Sequence, residues 1–136
     1  TLLDVNERLY EHAKEIDAAA TVTNHVWPPF RPNPRVGDRY RLDFCSQTVA
    51  WFYPPHRSIE RVAFEARRLR ERATDANTAV PFIGLYADPY ERRSAERVRR
   101  EIEIALEEGG GHVVFCTLGA PDADPAIADA VRDALA

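Results

Sequence analysis

Apolar positions change spacing along this chain, and those changes divide it into elements. Residues 2–19 repeat at three-four spacing, which predicts an amphipathic helix with Leu3, Leu9, His12, Ala13 and Ile16 on its buried side. The β-branched run ATVTNHV at 20–26 predicts a first strand. Pro28, Pro29, Pro32 and Pro34, followed by Gly37 and Asp38, exclude one long helix from 27–47 and predict an extended loop. A loop of that length in a compact domain points to a binding or interface role. TVAWFY at 48–53 reads as a second strand, stopped by Pro54 and Pro55. Ser58 caps a helix running to about residue 72, with Ile59, Val62, Ala63, Ala66 and Leu69 inward.

The stretch 78–121 is the centre of the pattern. Residues 80–86 are a short run of large apolar side chains and predict a strand. Residues 94–108 place Val98, Ile102, Ala105 and Leu106 on one helix face. Ser94 can cap that helix, but Arg97 stands where a capping-box acid would, so the box is absent. Gly109, Gly110 and Gly111 stop the helix by supplying the left-handed conformation its end requires. Residues 113–117 are apolar and β-branched again. A last helix follows Pro125, with Ile127, Ala130, Val131, Ala134 and Leu135 apolar.

The resulting order is α-β-loop-β-α-β-α-β-α. Strands buried on both faces of a parallel sheet are continuously apolar, and TVAWFY, VPFIGLY and HVVFCTL are. The expected class is α/β, with four mainly parallel strands and flanking helices. Two architectures fit: half of a (β/α)8 barrel, or a flavodoxin-like open sandwich.

Composition narrows the setting. The 136 residues are 45% hydrophobic and carry a net charge of -4, which fits one globular α/β domain and argues against a nucleic-acid binder. No apolar run reaches transmembrane length, and no signal peptide is present. Cys45 and Cys116 read as reduced core thiols, so a cytoplasmic location is the default. The basic residues are 17 Arg and one Lys, Lys14, a bias that GC-rich coding explains. Met is absent even at position 1, and the chain opens on a helix, so a piece of a longer protein is expected.

Sites in parallel α/β folds lie beyond the carboxyl ends of the strands. Those ends offer Asn24, His25 and Trp27; Trp51, Tyr53 and His56; Tyr86, Asp88, Tyr90 and Glu91; and Cys116, Thr117 and Asp122. Aromatic faces beside single polar groups suit a polar ligand with an apolar face, such as a sugar ring. The same aromatics also read as strand core. Asp88 is the first candidate for an acid, and it also reads as an Asp-Pro turn residue. His25, His56 and Asp88 could serve a metal-dependent hydrolase, although they have no recognised ligand spacing, so no metal is assigned.

Known cofactor signatures are missing. Gly109 to Gly111 ends a helix, whereas a dinucleotide fingerprint opens one. No Walker, CxxC or GxSxG motif occurs, and a phosphoacceptor receiver would carry a Lys after its last strand. No cofactor is therefore expected. Arg67, Arg68, Arg70 and Arg72 interleave with Glu65 and Glu71 and read as a solvated face.

NHVWPPFRPNP, DFCSQTVAWFYPP and VPFIGLYADP, then an Arg/Glu-rich helix and HVVFCTLG, resemble the last four strands of glycoside-hydrolase-like (β/α)8 barrels. The resemblance covers residues 20 onward and rests on order, spacing and aromatic strand ends. It implies a sugar-type ligand bound by Asn24, His25, Trp27, Trp51, Tyr53, His56 and Tyr86. It also implies a carboxyl pair, for which Asp88 leads and Glu91 and Asp122 follow. Four strands cannot close a barrel, so a second copy or an N-terminal barrel half is the expected partner. The competing expectation is a stand-alone module that binds a partner through its proline-rich loop.

Overall fold

A computed structural model of the chain describes residues 1–26, 41–50, 58–71, 78–86, 93–118 and 124–136. The elements in order are α1 (Leu2–Ile16), β1 (Thr23–Val26), β2 (Phe44–Ala50), α2 (Ile59–Arg70), β3 (Thr78–Tyr86), α3 (Ala95–Gly109), β4 (Val114–Leu118) and α4 (Pro125–Leu135). The fold is α/β, as the pattern predicts.

The sheet runs β1-β2-β3-β4 in space as in sequence, and every neighbouring pair is parallel. His25 stands opposite Ser46, Thr48 opposite Phe82, and Phe82 opposite Val114. Right-handed crossovers between parallel strands in this order put their helices on the same face. Accordingly α2 packs on β2, β3 and α3, while α3 packs on β3 and α4. A flavodoxin-like sheet reverses its order at a switch point. Among the described residues this sheet has no reversal.

The core lies between the sheet and the α2-α3-α4 layer. Val49, Val62, Ala66, Ile83, Val98, Ile102 and Ala105 are wholly or almost wholly buried there. Each helix end has a physical cause. Ser58 and Ser94 accept hydrogen bonds from the backbone N–H of Arg61 and Arg97, both at 3.1 Å. Asp124 caps α4, with Pro125 in its first turn. Gly110 closes α3 at φ 94°, a conformation that glycine adopts without strain.

Several expectations are corrected. The second strand was expected at 48–53, but β2 already begins at Phe44, so 44–47 leave the expected loop for the sheet. Apolar continuity failed as a guide there because Ser46 and Gln47 are buried strand residues with polar partners. Glu65 was expected on a solvated face, yet it is wholly buried.

The side of α1 expected to be buried also changes. Leu9 and Ile16 are exposed, as is His12, and α1 has no buried residue at all. Polar contacts dock this helix instead. Lys14 Nζ lies 2.8 Å from Asp43, and the Tyr10 hydroxyl donates to Asp43 at 3.1 Å. Asn6 Oδ1 accepts from the Arg41 backbone N–H at 2.8 Å. Leu135, among the apolar residues of α4, is likewise exposed.

Candidate functional site

The two faces of the sheet are told apart by β2, whose successive side chains alternate. Gln47 points to the helices, where its Nε2 donates to Glu65 Oε2 at 2.9 Å. Ser46 and Thr48 therefore point to the other face, and there both meet His25. The imidazole Nδ1 lies 3.1 Å from Ser46 Oγ, and Nε2 lies 2.9 Å from Thr48 Oγ1. The Phe82 ring stands against the same imidazole, with centroids 4.1 Å apart at a tilt of 44°.

Register explains the grouping. His25 faces Ser46 across one ladder, and Thr48 faces Phe82 across the next. Three parallel neighbours thus deliver an imidazole, two hydroxyls and a phenyl ring to one spot. Burial pushes the His25 pKa below its ordinary value, so the ring is neutral near pH 7. A neutral imidazole has one donor and one acceptor nitrogen, so one hydroxyl accepts from the ring and the other donates to it. Ser46 and Thr48 are buried and occupy both ring nitrogens, so what the cluster presents is the neutral, half-buried face of His25 and Phe82.

Behind the sheet stands a second polar layer. Glu65 and Glu101 are wholly buried on α2 and α3. Glu65 is held by Gln47 and by Arg61 of its own helix. Glu101 is held by Arg97 Nε at 2.7 Å and by Arg93, which enters from the residues ahead of α3. Burial disfavours the Arg93 charge, and the Glu101 carboxylate opposes that effect. Because each Glu falls in the repeat of buried positions, it faces the strands with Val62 and Ala66, or Val98 and Ile102. Arg61 and Arg97 stand in the first turns of α2 and α3, and in parallel βα units helix starts adjoin the carboxyl ends of the strands.

Of the residues expected at the site, the structure places His25 directly. Asn24 and Tyr86 lie in β1 and β3 by backbone. Trp27, Trp51, Tyr53, His56, Asp88 and Glu91 lie outside the described residues, as do Tyr90 and Asp122. Cys45 is buried and Cys116 half-buried. They sit two strands apart, about 10 Å across the sheet, and the register sets them five residues apart along it, too far for a disulfide with each other.

Sequence reading missed Ser46, Thr48 and Phe82, and also Glu65 and Glu101. A signal for the last two was available: SIERVAFE at 58–65 and SAERVRRE at 94–101 share Ser, Glu, Arg, Val and Glu at identical spacing. No comparable pattern marks Ser46 or Thr48, whose role depends on strand register.

Among the described residues, no group of three or more His, Cys, Asp or Glu side chains is arranged to hold a metal ion. Among them, too, no helix is long and apolar enough to cross a membrane. Comparison of the chain with protein-family models, curated proteins and solved structures finds no match.

Proposed function

We propose that this chain is the C-terminal half of a (β/α)8-type barrel that takes a neutral, sugar-type ligand at the carboxyl ends of its strands. The observation that carries this reading is the sheet: parallel, in chain order, with α2, α3 and α4 as successive neighbours. That is the arrangement of consecutive βα units in a barrel wall, whose other face is the barrel interior. His25, Ser46, Thr48 and Phe82 occupy the interior side in this reading.

The uncharged His25 cluster supports a neutral ligand over an ionic one. Asn24, Trp27, Trp51, Tyr53, His56 and Tyr86 supply the remaining contacts in the proposal. Hydrolysis of a glycosidic bond needs two carboxyl groups, and Asp88 and Glu91 are the proposed pair. Among the described residues β1 and β4 are each paired on one side only. Barrel closure therefore calls for further parallel strands, from an N-terminal half or a second copy. A cytoplasmic setting belongs to the same proposal.

The test is a titration of the full chain with neutral mono- and oligosaccharides. It is read by tryptophan fluorescence from Trp27 and Trp51 and by the NMR shift of the His25 ring. Saturable changes in both, lost in Trp51→Ala, are expected. A folded protein whose signals respond to none of these sugars contradicts the ligand assignment.

A further inference from the structure

We infer that α1 is a self-association surface that pairs antiparallel with α1 of a second copy. This inference is independent of the barrel reading. Leu2, Val5, Leu9 and Ile16 are 70%, 54%, 62% and 74% exposed. With exposed His12 they fall at positions 2, 5, 9, 12 and 16, an unbroken three-four alternation. That alternation is the seam of a two-helix coiled coil. The polar docking through Asn6, Tyr10 and Lys14 holds α1 to the body on another side of the helix, leaving the stripe clear.

Charge selects the partner and the register. Arg8 and Glu15 flank the stripe on the same side, seven residues apart, and both are exposed. In an antiparallel pair, residues on that flank face their own counterparts in the other copy. The register that stacks Val5 on Ile16 and Leu9 on His12 brings Arg8 of each copy to Glu15 of the other, so that flank gains two opposite-charge pairs, while the other flank carries the uncharged Asn6 and Ala13. Sliding by one heptad sets Arg8 against Arg8. A parallel, in-register pair sets Arg8 against Ala13. Only the first arrangement is complementary throughout, and a second copy supplies it. Glu15 also lies 3.6 Å from His12 of its own helix, a contact this pairing exchanges for Arg8. The stripe is short, below a standard interface in area, so the dimer is weak and concentration-dependent.

Sedimentation equilibrium of the full chain over a wide concentration range is the test, with circular dichroism to confirm that each variant keeps its helices. The wild type should show a monomer–dimer equilibrium. Leu9→Glu should abolish it, and Arg8→Glu should weaken it about tenfold by turning two attractions into repulsions. The double variant Arg8→Glu/Glu15→Arg should recover wild-type association. A monomer at every concentration overturns the proposal. So does a dimer that Leu9→Glu leaves intact, which would run through another surface such as the sheet edges. Failure of the charge swap to restore association overturns the antiparallel register.

Discussion

Glu65 and Glu101 stand at the same place in successive helices, seven residues after the capping Ser58 and Ser94, and both are wholly buried with an arginine four residues earlier as partner. Burying a charge is costly unless it is paired, and removing one partner strands the other. Glu101→Ala leaves Arg93 and Arg97 facing a void and should cost about 3–5 kcal/mol of stability. Arg97→Ala leaves Arg93 in place and should cost less. Urea denaturation of the two variants checks the order.

Gly109, the last residue of α3, lies against Pro81 of β3. A methyl group there would overlap Pro81 Cγ and stand 2.9 Å from its Cδ. Gly109→Ala is therefore expected to destabilise by about 1–3 kcal/mol through overpacking. Pro81→Ala in the same chain should return part of that loss, because the two sites touch. Thermal unfolding of the single and double variants measures the coupling.

His25 gives stability a pH dependence. Its ordinary value is 6.5, and burial lowers it in the folded chain. As pH falls below 6.5 the unfolded chain takes up the proton first, so the folded state loses stability, by at most about 1.4 kcal/mol per pH unit. Above that value the slope fades over about one pH unit, as the unfolded chain also loses the proton. His25→Gln should flatten the profile between pH 6.5 and the onset of carboxylate titration. Chemical denaturation across that range, wild type against variant, provides the comparison.

Asp43 ties α1 to the sheet. One carboxylate accepts from Lys14, Tyr10 and the Val22 backbone N–H, and these partners hold its pKa below the ordinary carboxylate value. Asp43→Ala should speed amide exchange in α1 while exchange in β3 and α3 stays slow. Hydrogen exchange with peptide resolution reads both regions at once.

The architecture was legible where apolar periodicity met a clear stop. Ser58, Ser94 and Gly109 to Gly111 bound their helices because capping and left-handed backbone are local chemistry. Val62, Ala66, Val98 and Ile102 were legible as core for the same reason. Ser46, Gln47 and Glu65 were not, because a polar side chain in a core is tolerated only through a partner remote in sequence. Neither Gln47 nor Glu65 announces the other. Leu9 and Ile16 failed differently: three-four spacing reports that a stripe exists, and says nothing about what covers it. At the site, His25 was legible as a residue near a strand end, but its two hydroxyl partners depend on a register that no local pattern specifies.

The parallel, in-sequence order of the strands supports both the barrel reading and the His25 cluster, and cross-strand nuclear Overhauser effects between backbone protons test it most directly. The account predicts parallel-type contacts joining His25 to Ser46, Ser46 to Val80 and Phe82 to Val114. Close Hα–Hα contacts of the antiparallel kind between any two neighbours, or β1 paired to β3 in place of β2, would contradict it.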